Sequence, residues 1–163
     1  MRILFLDKTR KIKENIPELG KKLNVKILVE GRKVSLSGSE IDEYEAEPIL
    51  EAISMGFSTS QAVQLKNEEF VFRKMNIKDF TKRRDLSLIR ARIIGTEGKT
   101  KRAIGNISNC EIKLSGNTIG IIGSIIYIED AITALKSLIK GSKQANVYKY
   151  LERRNRERIT DSP

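Results

Sequence analysis

The sequence predicts an α+β fold built from two copies of one small domain and followed by a C-terminal helix. Three observations predict it: an internal repeat, an element order of strand, helix, helix, strand, strand, helix in the second copy, and a length of 163 residues. A chain of that length suits two domains of about 80 residues each.

The repeat becomes visible when the sequence is shifted against itself by 85 residues. NVKILVEGRKVSLSG (residues 24–38) then falls on NCEIKLSGNTIGIIG (residues 109–123) without a gap. Positions that meet an identical residue include Gly20, Asn24, Ile27, Gly31, Gly38, Ser39, Ala46, Leu50 and Gly56. Glycines mark places where the backbone must turn, so four glycines in register indicate two copies of one domain.

Hydrophobic spacing defines the elements of the second copy. Residues 70–77 read as a strand, and the helix that follows has Asp79 or Thr81 available as its N-cap. The apolar face of this helix consists of Phe80, Leu86, Ile89 and Ile93. A second helix is predicted over residues 99–108, with Ile104 and Ile107 facing inward.

Two strands and a long helix complete this copy. Residues 111–114 and 118–122 read as short strands joined by a turn at Gly116. A long helix is predicted to end at Gly141. Its apolar positions are Ile125, Ile128, Ile132, Leu135 and Ile139. A final amphipathic helix is predicted, and the residues on one of its faces are Val147, Tyr148 and Leu151. Its end is dominated by Arg153, Arg154, Arg156 and Arg158.

The composition favours a protein that binds a polyanion and removes much catalytic chemistry. Lys and Arg number 31 and Asp and Glu 21, a formal net charge of +10. There is no His and one Cys, Cys110, which excludes serine–histidine–aspartate hydrolysis, cysteine–histidine proteolysis and histidine-based metal sites. We therefore expect no catalytic residue, metal ion or cofactor. A single cysteine cannot form a disulfide within the chain, and no apolar run approaches the length of about 18 residues that a membrane span needs. Both observations predict a cytoplasmic protein.

Most of the positive charge lies in the second half. Residues 1–75 carry 13 basic and 12 acidic side chains, whereas residues 76–163 carry 18 and 9. The first half also contains an acidic block over residues 40–51, and residues 34–65 include no Lys or Arg. Nucleic acid is therefore expected to bind mainly to the second half. The acidic block is either a solvated helix face or a docking patch for a basic protein.

A glycine-rich loop, residues 95–98 (GTEG), lies between the first two predicted helices of the second copy. Two glycines let the backbone turn tightly and leave no side chain between the backbone and a phosphate. The helix that starts at Lys99 presents free N–H groups and the positive end of its dipole. Lys101 and Arg102 add charge. Such a loop would hold a sugar-phosphate backbone, with bases across an apolar groove formed by Ile94, Ile107 and Ile112.

Two other interpretations of this loop are weaker. GTEGKT is similar to the end of a nucleotide P-loop, but that motif needs a glycine where this chain has Ile93. Two glycines at this spacing also occur in simple helix–helix turns. The basic flanks, the element order and the 85-residue repeat favour the phosphate-binding interpretation.

The βααββα order with GxxG between its helices resembles a type I KH domain, whose loop clamps about four nucleotides. RARIIGTEGKTKRAI and NVYKYLERRNRE also resemble the archaeal members of the partner-of-Nob family, which are two-KH ribosome-assembly proteins related to eukaryotic pre-rRNA-processing factors. MGFSTSQAVQL at residues 55–65 is similar to that family's segment between its KH domains. The resemblance implies two tandem KH domains, each a three-stranded antiparallel sheet packed by helices.

The resemblance also implies a function. The family's members bind the 3′ region of small-subunit rRNA as single-stranded RNA during subunit maturation and are not enzymes. Implied partners are a PIN-domain endonuclease and the alpha subunit of translation initiation factor two. Carried over by position, and with Ile94 from the groove, the RNA-binding residues would be Arg92, Ile94, Gly95, Thr96, Glu97, Gly98, Lys99, Lys101 and Arg102.

The first copy departs from the KH pattern. The shift places residues 10–13 (RKIK) where GxxG should stand, and bulky side chains there would block close approach of a backbone. Pro17 is expected to delay the following helix. The sequence thus predicts a degenerate KH domain over residues 1–67, an intact one over 68–142, and a basic C-terminal helix and tail over 143–163. A scaffold or protein-docking role is favoured for the first domain.

Two alternatives to rRNA maturation remain at this point. A general KH adaptor, for example in RNA degradation or translation, would use the same loop without preferring an rRNA sequence. An enzyme is disfavoured because a metal-dependent nuclease needs clustered carboxylates at the RNA groove. Here the acidic block belongs to the first copy, and Glu97 stands alone in the loop.

Overall fold

The structure, a computed structural model that describes residues 1–161, divides into two units. The first runs from Met1 to Phe72 and the second begins at Arg73. Helices and a three-stranded sheet occur in both, so the predicted α+β fold is confirmed. No helix within the described residues is long and apolar enough to cross a membrane.

In the first unit, alternating apolar residues produce an antiparallel sheet in the order β1-β3-β2. Its strands are β1 (Arg2–Phe5), β2 (Lys26–Glu30) and β3 (Lys33–Ser37). Its helices are α1 (Arg10–Glu14), α2 (Ile16–Leu23), α3 (Glu40–Met55) and α4 (Thr59–Val63). Pro17 stands in the first turn of α2, where a missing N–H is tolerated.

The second unit repeats this arrangement in a sheet of order β4-β6-β5. Its strands are β4 (Phe70–Asn76), whose first three residues precede the division at Arg73, β5 (Cys110–Ser115) and β6 (Thr118–Ser124). Its helices are α5 (Ser87–Ile94), α6 (Lys99–Ser108), α7 (Ile128–Ile139) and α8 (Gln144–Asp161). Helix α8 packs against α6 and α7, so the basic C-terminal helix is part of this unit's helical layer.

The internal repeat extends to the backbone dihedral angles. Asn24 and Asn109, which are 85 positions apart, end α2 and α6 in the same left-handed conformation with φ 55° and ψ 41°. Gly56 and Gly141, which follow α3 and α7, have φ of 115° and 110°. Asn and Gly are the residues that enter this region at least cost. The identical residues therefore mark places where both copies require the same turn.

Two predicted helix boundaries in the second unit are wrong. The helix predicted from about Phe80 begins only at Ser87, because polar side chains before it bind nearby backbone N–H groups and favour turns over helix. Thr81 Oγ1 accepts from the Arg83 N–H and Asp85 Oδ1 from the Ser87 N–H. The long helix begins at Ile128, and Ile125 is 58% exposed in the preceding turn.

Candidate nucleic-acid interface

The loop between α5 and α6 depends on backbone conformations that L-residues avoid. Gly95 has φ 77° and ψ 173°, a combination that is essentially restricted to glycine. A Cβ on Gly95 would lie 2.2 Å from Oγ1 of Thr100, and Thr100 is only 4% exposed. The first glycine of GxxG is therefore required both by its dihedral angles and by the close packing of α6 against the loop.

The other end of the loop exposes its backbone beside a cation. Gly98 has φ 77°, and a Cβ there would lie 3.2 Å from Nη1 of Arg102. The Arg102 side chain thus extends along α6 to the loop. Thr96, Glu97 and Lys99 are exposed, and Lys101 is half-buried. The loop consequently presents backbone and positive charge together, with Glu97 as its single acid.

The N-terminus of α6 provides further donors for an anion. Gly98 is its N-cap and has no side chain to accept from the amides that follow, and the Lys99 N–H itself donates to the Thr96 carbonyl. In a helix of ten residues, these amides and the positive end of the dipole favour a phosphate group. The loop and the helix that starts at Lys99 therefore occur where predicted, but the Lys99 N–H is already bonded within the loop.

Glu97 is the one non-glycine residue of the loop with a left-handed backbone, at φ 55° and ψ 27°. We expect Glu97→Gly to raise the free energy of unfolding by about 0.5–1 kcal/mol, because an L-residue is strained there. Thermal denaturation measures this change. Glu97→Gln removes the charge and keeps the strain, so it should tighten RNA binding without stabilising the fold. Equal stabilisation by both substitutions would contradict this account.

The predicted apolar groove is partly wrong. Ile94 is 38% exposed and is available to a base, but Ile112 is 8% exposed and belongs to the core. Ile107 is half-buried, and its carbonyl accepts from Nδ2 of Asn155 at 2.7 Å. The exposed apolar surface instead continues from Ile94 along α5 to Leu88, which is 63% exposed. The sequence offered a signal for Leu88, since it falls outside the four-residue spacing of the buried Ile89 and Ile93.

Arg92 has a structural contact that its sequence position did not indicate. Its Nη2 donates to the carbonyl of Ser142 at 2.6 Å, which ties α5 to the segment between α7 and α8. The side chain is half-buried. One of its five N–H donors is therefore occupied, and Arg92 orients the helix that leads into the GxxG loop.

The arginines near the end of α8 divide by function. Arg154 and Arg158 both pair with Asp130, which is 5% exposed, and the Arg154 Nε–Asp130 Oδ1 distance is 3.2 Å. The Arg158 guanidinium also lies 4.8 Å from the centre of the Tyr127 ring. Arg153 is more exposed and faces Glu157 at 3.8 Å. Two of the predicted basic residues thus hold α8 in place instead of facing a phosphate.

The first unit has a helix where the shift placed a loop. Residues 10–13 belong to α1, and a single residue, Asn15, joins α1 to α2. Ile12 is fully buried, and Lys11 Nζ donates to the Gly56 carbonyl at 3.0 Å. The alignment of residues 10–13 with GxxG is therefore wrong in structural terms. The α1–α2 junction has no room for a four-residue loop of that kind.

The remaining reactive groups of the described chain are its carboxylates and one thiol. No group of three or more His, Cys, Asp or Glu residues there could hold a metal ion. Cys110 opens β5 and is 7% exposed, and burial raises the pKa of its thiol. It is a packed core residue.

Comparisons with known proteins agree with this geometry. The model of the second KH domain of PNO1, a eukaryotic-type (type I) KH domain, matches residues 71–156. The chain is 32% identical to a KH domain-containing protein of Methanocaldococcus jannaschii over 68% of this chain and 49% of that protein. It is 31% identical to the pre-rRNA-processing protein pno1 of Aspergillus fumigatus over 78% of this chain and 54% of that protein.

The chain therefore spans about half the length of the curated relatives it matches. Among solved structures, it is similar to the Dim2p chain of a complex of a/eIF2alpha, aDim2p and rRNA from Pyrococcus horikoshii. The TM-score is 0.84 and the sequence identity 30%, and the match covers 96% of this chain and 94% of that chain. The family model covers more than half of the present chain, from β4 into α8. This chain belongs to the PNO1/Dim2 family of KH-domain proteins.

Proposed function

We propose that this chain is a non-catalytic, single-stranded-RNA-binding protein of small-subunit rRNA maturation that grips the 3′ region of the rRNA through its second KH domain. The observation that carries the proposal is the loop at residues 95–98, where exposed backbone, the open N-terminus of α6 and the Arg102 guanidinium converge. The pre-rRNA-processing names of its relatives and the rRNA in the Pyrococcus horikoshii complex support the same function.

Each residue of the proposed site has a defined task. Gly95 and Gly98 give the backbone its turn, and Thr96 and Glu97 form the exposed tip. Phosphate would be contacted by Lys99, Lys101 and Arg102, with Arg92 behind them as an orienting residue. Ile94 would lie against a base, since every base has an apolar face that can stack on such a side chain.

The proposed partners follow from the same relatives. The alpha subunit of translation initiation factor two occurs in the Pyrococcus horikoshii complex, and we include it as a partner of this chain. A PIN-domain endonuclease would supply the cleavage that this protein does not perform. The proposed setting is the cytoplasm. The first unit, with no GxxG loop between α1 and α2, would serve as a scaffold.

The test of the loop is the double substitution Thr96→Asp and Glu97→Asp, which adds one negative charge where phosphate would lie. We expect RNA binding to weaken by about 1–2 kcal/mol, which is what the loss of one charge-assisted hydrogen bond costs. The measurement is fluorescence anisotropy at one stated, near-physiological salt concentration, because the electrostatic contribution varies with salt. The matched control is Thr96→Asn with Glu97→Asn, which has the same shape and no charge.

The RNA probes decide between rRNA maturation and a general adaptor. An oligomer with the sequence of the small-subunit rRNA 3′ end is compared with a scrambled oligomer of equal length. A preference for the 3′-end sequence that the double aspartate removes and the double asparagine keeps supports the proposed function. Equal affinity for both oligomers favours the general adaptor, and unchanged affinity in the folded double aspartate places the site elsewhere.

A further inference from the structure

A basic segment, Lys82-Arg83-Arg84, stands at the end of α5 that is opposite the GxxG loop. All three residues are exposed, and they lie in the irregular stretch between residues 81 and 86, outside any helix. Among the side chains that the structure describes, those of residues 1–159, these three form no hydrogen bond or ion pair. The folded unit therefore uses none of these three charges for internal contacts.

Their position is unfavourable for stability. They precede the first turn of α5, where the helix dipole is positive and acidic residues are preferred. The neighbouring acid, Asp85, uses Oδ1 to accept from the Ser87 hydroxyl at 2.6 Å and from the Ser87 N–H at 3.0 Å. These hydrogen bonds lower the pKa of Asp85 and keep it ionised. The segment still carries a net positive charge, which an external anion would neutralise.

An exposed apolar strip connects the segment with the GxxG loop. Leu88, Ala91 and Ile94 recur at every third position of α5 and are all exposed, Leu88 at 63% and Ile94 at 38%. Each step of three residues turns by about 60°, so the strip runs obliquely across the exposed surface of α5, over about 9 Å of its length. The opposite side of α5 is the buried one, with Ile89 and Ile93, and Arg90, four residues before Ile94, donates from Nη1 to Oδ1 of Asn117 in the β5–β6 turn at 2.5 Å.

We propose that the RNA site extends beyond the nucleotides held by the GxxG loop, along α5, to Lys82-Arg83-Arg84. Leu88 contacts a base along this path, and the three cations bind the phosphates of the next nucleotides. This inference rests on the proposed function, since it requires RNA at the loop. A KH loop clamps about four nucleotides, so the extension applies to nucleotides outside that set.

The experiment uses the full chain and single-stranded RNA oligomers of increasing length, from about four to about ten nucleotides. Binding is measured over a range of salt concentrations for the unmodified protein and for Lys82→Ala/Arg83→Ala/Arg84→Ala. For single strands, each phosphate contact contributes about 0.7 to the slope of log K against log salt. We expect the triple variant to lose about 2 from the slope and about ten-fold in affinity on the longest oligomer, and to bind the shortest one unchanged.

The matched control is Lys140→Ala/Lys143→Ala/Lys149→Ala, which removes three exposed cations from the same unit. It should behave like the unmodified protein at every length. Leu88→Ser should weaken binding of the longer oligomers without changing the salt slope, because a base contact releases no counterion. These substitutions are at exposed positions, and thermal denaturation verifies that the fold is retained.

The outcomes separate this inference from the function on which it rests. Equal losses for short and long oligomers, or in both triple variants, would show a general effect of charge and would overturn the extended site. An unchanged triple variant would overturn it as well. If the Thr96→Asp/Glu97→Asp variant binds every oligomer normally, or if the unmodified protein binds none, the proposed function fails and this inference fails with it.

Discussion

Gly95→Ala should destabilise the second unit by about 3 kcal/mol and abolish specific RNA binding. The backbone at φ 77° and ψ 173° is strained for any L-residue, at a cost of about 1–3 kcal/mol. The new Cβ would also lie 2.6 Å from the Thr100 backbone nitrogen, so relief requires movement of α6 and not only of a side chain. Denaturant unfolding measures the first effect, and anisotropy with the rRNA 3′-end oligomer measures the second.

Gly116→Ala is the matched control for this substitution. Gly116 also has positive φ, at 59°, but a Cβ there would meet no atom within 4 Å. Its cost should be limited to the left-handed conformation, about 1 kcal/mol, and RNA binding should be retained. Equal destabilisation by the two substitutions would mean that the packing of Gly95 on Thr100 is unimportant.

Asp130→Ala should be the second most damaging substitution, with a loss of about 2–3 kcal/mol. Asp130 is buried and pairs with Arg154 and Arg158, so its removal leaves a half-buried guanidinium without its carboxylate. It also stands in the first turn of α7, where a carboxylate is favoured by the dipole. For a unit of this size, the melting temperature should fall by about 10–15 °C.

Hydrogen exchange identifies which part of the unit is loosened in Asp130→Ala. The amides of α8 should lose protection first, and those near Ile107 should follow, because Asn155 on α8 holds the Ile107 carbonyl. Arg153→Met is the control, since Arg153 is exposed and its ion pair among the described residues is with Glu157 of the same helix, at 3.8 Å. Comparable destabilisation by Arg153→Met would refute the conclusion that Arg154 and Arg158, and not Arg153, hold α8 in place.

Much of the fold follows from local pattern. The second copy's strands and helices were predicted from apolar spacing, and β5, β6 and α6 occur where expected, within two residues at each end. The repeat is predicted from identical residues, and the pair Asn24 and Asn109 explains why such identities are present. A residue that must adopt a left-handed turn tolerates few substitutions, so its identity persists in both copies.

The errors occurred where side chains compete with the backbone or reach distant partners. The start of α5 was misplaced because Asp85 and Thr81 bind nearby N–H groups, and a periodicity analysis ignores such turns. The sequence predicts Ile112 in the groove, but the alternation of apolar residues along β5 is equally compatible with its burial. Which face of a strand is covered depends on helices that are remote in sequence.

The sequence by itself determined the repeated α+β domain, the GxxG loop and the excess of positive charge in the second half, because these depend on residue type and short-range spacing. Only the tertiary structure decided which cations are available to a ligand. Arg154 and Arg158 reach Asp130 across 24 and 28 positions, and Arg92 reaches Ser142 across 50. Lys82, Arg83 and Arg84 reach no partner in the described chain. Charges that look alike in sequence differ in function because burial and a neighbouring carboxylate are properties of the fold.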